Sequence, residues 1–591
     1  MLTSKAAGTR RYLKSRARNA SLQHMHLENG LLKVNERGPH PIYELVKSAQ
    51  DSWDGKLRSA SRTLEEAVVE YRRRYKREPP CGFDDWWGYV VEHNVQLPDE
   101  YDQIMRDIEP FWGIDLRDLQ EIVDGWEAHI DSYTIGKDSY SDPISLKRTS
   151  FASGEDGHSP LANGAHLIID LMKEVEDLLP PFRAIFSPHD NPNLHTDYEL
   201  KRQVLEAARR GTVIDVNKPP PTKLDGWVAA CPPHSPARNE HINYGGEPDP
   251  AERPRTFIHD HRASMDPCHH TSHLLLHGQF ISHRKGPVPH ARLIPQFSYA
   301  PTLLHHDITP AVPLAWVPDI FPRGDDPEWE DRYDGRLQWR GSNTGIWHAQ
   351  EKRWEIAQRA RLVRWAGDGS FGGTGSLGEN ITVLPSVDEG MPVGEPFQVR
   401  KASWAPGMVD IAFAGEPLNC APGTCEQLVE VFEWRKRHNN HVAGKYKYYI
   451  DVDGHAWSSR FKRLITSNGL VFKSTIYPEW FTDRVQPWVH YVPIQVDLSD
   501  LWDALTFFRG QPGGEGAHDN MARKIAKDGR DWSLSFWRRE DMVAYMFRLF
   551  LEYARVMDPQ RDSMSFDLSR VRKENNVRFK ERRRQKSQAG R

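Results

Sequence analysis

Apolar residues fall into two regimes along this chain of 591 residues. Leu57, Ala60, Leu64, Ala67 or Val68, Tyr71 and Tyr75 recur at three and four, one face of a helix, and Pro79-Pro80 stops the run. "FDDWWGYVV" predicts the next helix, with Asp84 or Asp85 as its cap. From about 160 to 330, short apolar runs alternate with loops rich in Pro and His; "HLIIDLMKEVEDLLPPF" reads as a helix and "RAIFSPHDNP" as a strand leaving into a turn. From Leu337 the alternation is more regular: "LQW", a helix around "EKRWEIAQRARLVRWA", "KYKYYIDVDG" with its helix, "LVFKS" and "WVHYVPIQV". Strand-helix alternation of this kind predicts an α/β fold with a doubly wound parallel sheet. The last strong helix, "REDMVAYMFRLFLEYARVM", is apolar on one face.

Composition adds bounds. The length exceeds what one hydrophobic core serves, so two principal domains are expected. The 78 Lys and Arg against 82 Asp and Glu argue against a protein that coats nucleic acid, so no nucleic-acid partner is expected. Basic charge is concentrated at the ends, in "MLTSKAAGTRRYLKSRARNAS" and in ten Lys or Arg after Asp567. The first stretch has no hydrophobic segment of a secretory signal; it reads as a basic arm or a transit peptide, or as a chain whose anchor is missing. No apolar run approaches the roughly 18 residues of a membrane span. Twenty tryptophans suit core filling and sugar platforms alike. Of five cysteines, Cys420 and Cys425 enclose "APGT", a loop that closes as a disulfide in an oxidising compartment. Asn19-Ala20-Ser21 and Asn380-Ile381-Thr382 are glycosylation sequons.

Two segments read as strand, turn and helix with anion-binding chemistry. In "KYKYYIDVDGHAWSSRFKRLITSNGLVFKS" (445–474) the strand breaks at Gly454, and Ser458, Ser459, Arg460 and Lys462 stand where a helix begins. Free backbone N–H groups and the positive dipole end suit a phosphate there. In "QWRGSNTGIWH" (338–348), Arg340, Gly341, Ser342, Asn343, Thr344 and Gly345 form a small-residue turn before a helical stretch. Each alone is also simply a loop; together they point to a diphosphate held between two turns.

These segments, with "EWFTDRVQPWVHYVPI" and the final helix, resemble glycosyltransferase family 90, which contains Rumi-type protein O-glucosyltransferases and fungal capsule-associated xylosyltransferases. The resemblance covers roughly Tyr71 to Met557, and "YRRRYKREPP" and "MDPCHHTSHLLLHG" look like the fungal branch. It implies a GT-B fold of two Rossmann-like domains facing a central cleft, with the final helix packing back across the N-terminal domain. The expected division is a polar arm over 1–52, an acceptor-side domain over 53–335, a UDP-sugar domain over 336–557 and a basic tail over 558–591. The implied reaction is inverting transfer of xylose or glucose from a UDP-sugar to a hydroxyl of a glycan, glycolipid or protein, with no tightly bound cofactor and no required metal. The implied home is the Golgi or endoplasmic reticulum lumen, with a membrane anchor typical of the family but not evident in this sequence.

Carried over by motif, Arg340, Gly341, Ser342, Ser458, Ser459 and Arg460 would hold the diphosphate, with Phe461 and Lys462 lining the same turn. Glu479 would lie near the donor ribose or start a helix. Asp190, in "SPHDNPN", resembles the catalytic aspartate that takes the acceptor proton, although Asp before Asn-Pro is also a common turn residue. Asp307 would contact the acceptor cleft or hold a turn. A competing constellation is a metalloenzyme site: His269, His273 and His277 stand at i, i+4 and i+8 on one helical face, with His259, Asp260, His261 and Cys268 nearby.

Overall fold

A computed structural model describes residues 22–152, 159–246, 248, 254–315, 326–367 and 378–568. The basic stretch before residue 22, its sequon at Asn19 and the tail after 568 lie outside the described residues.

The predicted parallel sheet forms. Six strands lie in the order Trp434–Arg435, Val409–Ala414, Asp334–Gly341, Tyr446–Val452, Leu470–Ser474 and Val492–Pro493, every pair parallel. Val409–Ala414 and Leu470–Ser474 are buried at every position, as parallel strands covered on both faces must be. The chain builds outward from Asp334–Gly341 in one direction, then returns to place Tyr446–Val452 on its other side. The order therefore reverses between these two strands, and a crevice opens beyond their carboxyl ends at such a switch point. The two turns read from the sequence as anion sites leave from those ends.

The N-terminal half holds a smaller sheet in the order Ser145–Ser150, Ser132–Lys137, Phe182–Phe186 and Gln296–Phe297, antiparallel except for the last pair. The final helix, Arg539–Met557, packs on this half. Phe550 stacks on Phe182 at 4.6 Å, Trp86 donates to the Ala544 carbonyl at 2.9 Å, and the Tyr553 hydroxyl reaches Arg183 O at 2.9 Å. It is buried on all sides from Asp541 to Val556, not on one face alone. Its inner cation is accommodated because Arg548 donates to Glu552 at 3.0 Å and lies 4.7 Å over the rings of Tyr71 and Phe83.

Several elements differ from their sequence reading. Residues 25–52, expected within an arm, form two short strands and most of a helix, Pro41–Ser59, because Ile42, Leu45 and Trp53 bury its inner face. The single helix read through Leu57 to Tyr75 is two: Ala60 is extended, and Thr63 caps a new start at Leu64 by accepting from Glu66 N. Gly82, at φ 83°, is the next cap, leaving Asp84 and Asp85 in the first turn where the dipole favours anions. The helix read around 351–366 is confined to Gln358–Ala366, so none follows directly on the Gly341–Gly345 turn. The Cys420–Cys425 disulfide forms, and Cys268 pairs with Cys231.

Candidate active site

The two turns meet. Arg460 donates to Val452 O at 3.2 Å and to Arg340 O at 3.5 Å, joining the ends of the two central strands. One step further out, Arg359 donates to Asp453 O at 2.9 Å and to Ser342 O at 3.0 Å, and also holds the Thr344 hydroxyl. Two arginines thus staple the same two segments at neighbouring positions. Both guanidinium groups lie against the Trp339 ring, Arg460 at 5.2 Å and Arg359 at 5.9 Å. Burial lowers both from the ordinary arginine value, and for Arg359 the added charge of Arg460 brings it to about 9. Two like charges held this close favour an anion between the turns. Only Gly fits at 341, where a Cβ would come within 2.6 Å of the Trp339 ring and 3.1 Å of Arg460.

Behind the turns lies a buried polar row. The Ser458 hydroxyl donates to Asp451 at 2.5 Å, Lys473 reaches Asp451 at 3.2 Å, and Lys473 stands 3.6 Å from Glu479. Burial pushes the Glu479 carboxyl up to about 7, with Lys473 opposing. Glu479 is therefore interior to the turn, and it does not begin a helix. Ser459 is exposed on the turn itself. Arg340 faces Asp410, at 2.5 Å to Oδ1, and Arg435 and the Tyr446 hydroxyl also hold that carboxylate. Burial alone would raise Asp410, but Tyr446 and Arg340 outweigh it and hold it at about 2. Arg340 thus enters the site through its carbonyl, while its guanidinium anchors the strand pair.

Lys462 and Phe461 do not line the turn. Lys462 is buried beneath the C-terminal end of helix Asp519–Phe536, donating to Ser533 O, Ser533 Oγ and Trp537 O at 2.7–3.0 Å. Orphan helix carbonyls attract it there, and burial brings its ammonium down to about 7. Phe461 stacks on Phe481 in the core with Lys473 over its face.

Asp190 is brought to the same place from the N-terminal half. It is exposed in the turn after Phe182–Phe186, and Asn191 beside it donates to His455 O and Gln279 Oε1, each at 2.6 Å. His455 belongs to the turn that carries Arg460. Desolvation by surrounding protein raises the Asp190 carboxyl although its surface stays open, and the nearby His455 and His189 oppose the rise. Asp307, expected as a possible acceptor contact, is buried. It accepts from Leu194 N at 3.0 Å and from the Ser298 hydroxyl, and so holds the turn that presents Asp190.

The three histidines do not share a helical face. Short helices His273–Leu276 and Gly278–Ile281 are separated by extended His277, which caps the second through Gln279 N. His269 is exposed, His273 is bonded to Ser264 O at 2.8 Å, and His277 donates to Asp453 Oδ2 at 3.1 Å. Cys268 is held in its disulfide, and among the described residues no group of three His, Cys, Asp or Glu could hold a metal ion. His277 instead ties the N-terminal half to the second turn.

Sequence reasoning missed Arg359, His455 and the His277–Asp453 pair. Arg359 reads as one cation in an amphipathic helix, and only the tertiary approach of two loops gives it a role.

Residues 427–588 match the glycosyl transferase family 90 domain. The chain is 37% identical over 124 residues to protein O-glucosyltransferase 2 of Danio rerio, covering 20% of this chain and 23% of that protein. It is 35% identical over 114 residues to protein O-glucosyltransferase 1 of Rattus norvegicus, covering 19% and 27%. Against O-glucosyltransferase rumi of Drosophila pseudoobscura pseudoobscura it is 35% identical over 116 residues, covering 19% and 27%. The chain therefore spans about a quarter of the length of these curated relatives. The family match includes the Arg460 turn, Glu479 and the final helix; Asp190 and Arg340 precede it.

Proposed function

We propose that this chain, which carries a glycosyl transferase family 90 domain, is an inverting glycosyltransferase with a GT-B arrangement. It takes a sugar from a nucleotide donor, UDP-glucose or UDP-xylose, to a hydroxyl of a glycan, glycolipid or protein. The observation that carries this reading is the convergence of two glycine-containing turns, stapled by Arg359 and Arg460, at the switch point of a parallel sheet, with Asp190 held beside them through the bond of its neighbour Asn191 to His455 O.

Inversion is a single displacement. Asp190 accepts the acceptor hydroxyl proton as its oxygen attacks the anomeric carbon from the face opposite the diphosphate. The leaving diphosphate gains charge as the glycosidic bond breaks, and fixed cations and N–H groups at the turns stabilise it. Ser459, exposed beside Arg460, offers a hydroxyl there, whereas Ser458 acts through Asp451. The Asp451, Lys473 and Glu479 row holds the turn from behind.

The names of the similar proteins favour glucose and a protein acceptor; the fungal look of residues 71–80 and 265–278 favours xylose and a glycan. Two disulfides support an oxidising, lumenal compartment. Among the described residues no helix is long and apolar enough to cross a membrane. Incubation with a panel of UDP-sugars and measurement of UDP release tests the proposal. One UDP-sugar, glucose or xylose, should be consumed in preference to the rest; equal failure with all of them would exclude it.

A further inference from the structure

We infer that Trp347 is a stacking platform for a saccharide ring of the acceptor, a step that rests on the transfer reading above. Trp347 is 52% exposed, the one exposed tryptophan among the described residues. Leaving so large an apolar ring in water forgoes its burial, and the other described tryptophans are buried or partly buried.

Its position is fixed from both sides. Two residues before it, Gly345 O packs where a Cβ on Gly278 would come within 1.9 Å; five residues after it, Lys352 donates to Ser282 O at 2.6 Å. The segment thus runs along Gly278–Ser282, whose Gln279 holds Asn191 beside Asp190. Next to Trp347, His348 N bonds Asn419 O at 2.8 Å, and the Asn419 side chain meets His455 Nε2 at 2.6 Å. Trp347 therefore stands on the rim formed by the first turn, the disulfide-closed Cys420–Cys425 loop and the residues that face Asp190. Leu418, also exposed, is fixed to the first turn by Asn343, which donates to its carbonyl at 2.6 Å.

The patch selects its occupant by size. A docked protein domain would need roughly 800 Å² of complementary surface on this side. Two apolar side chains amid Asn419 and His455 offer far less, but an indole face matches one pyranose ring, whose axial C–H groups lie on it while its hydroxyls reach the polar rim.

The test has two arms. In transfer assays at saturating donor, Trp347→Ala should raise the acceptor KM about tenfold or more for a saccharide, with donor KM unchanged and Trp347→Phe intermediate. In acrylamide quenching of tryptophan fluorescence, cellobiose, xylobiose or mannobiose should protect the native protein but not Trp347→Phe. An unchanged acceptor KM in Trp347→Ala overturns the inference, as does a sugar-free folded protein accepting sugar without dependence on Trp347. Protection that is equal in both proteins, or absent in both, also overturns it. If the native protein consumes no UDP-sugar, the transfer reading fails, and the quenching arm still decides for or against Trp347 as a saccharide platform.

Discussion

Asp190 and His455 couple the two halves at the level of single charges. The carboxyl stands above its ordinary value because its surroundings desolvate it. A base must be ionised, so kcat/KM should fall as pH drops through that raised value. A protonated His455 favours the carboxylate, so His455→Gln should move the acid limb to higher pH; a limb that stays in place would remove His455 from the account. Asp190→Asn keeps shape and removes the base, so transfer should stop while UDP still binds. Glu479 makes a separate claim about stability. Its folded value, about 7, exceeds the ordinary 4.5, so its contribution is full below about 4.5 and is lost as pH rises through 7. Glu479→Gln should therefore flatten the decline of Tm between pH 5 and 8, by thermal unfolding across that range.

Among the elements, the final helix shows what periodicity can and cannot disclose. Its apolar repeat was legible from Met542 to Val556, but Arg548, Glu552 and Arg555 read as a polar face and are buried. They are tolerated because Tyr71, Phe83, Trp86 and Glu552, most of them hundreds of residues away, enclose Arg548. Glu552→Ala would leave that guanidinium buried without its carboxylate and remove the acceptor of the Tyr71 hydroxyl. A loss of about 3–5 kcal/mol is expected in denaturant unfolding; a loss near 0.5 kcal/mol would mean water reaches Arg548. Four strands of the parallel sheet, those in "LQW", "KYKYYIDVDG", "LVFKS" and "WVHYVPIQV", were legible as short runs rich in aromatic and β-branched residues, whereas Val409–Ala414 and Trp434–Arg435 were not read. The break at Ala60 was not legible either, because the apolar spacing continues across it and only Thr63 marks a new start.

For the whole molecule, the sequence disclosed both turns but not how they are joined. Gly341–Gly345 and Gly454–Arg460 are about 110 residues apart, and nothing local tells that Arg359 and Arg460 will bond the carbonyls of both. The sheet's reversal between Asp334–Gly341 and Tyr446–Val452 makes them neighbours, and the N-terminal half closes over them through His277–Asp453 and Asn191–His455. Lys462 went astray for the opposite reason: it was assigned by nearness in sequence, whereas its helix carries it to the far side. The central claim is that this junction holds and discharges a diphosphate. Calorimetric titration of UDP into the native protein and Arg460→Ala tests it most directly. One charged donor to the diphosphate is worth about 3 kcal/mol, so the variant should lose on the order of a hundredfold in Kd, with Arg460→Lys recovering only part. If Arg460→Ala binds UDP as tightly as the native protein, the diphosphate is not held between these turns.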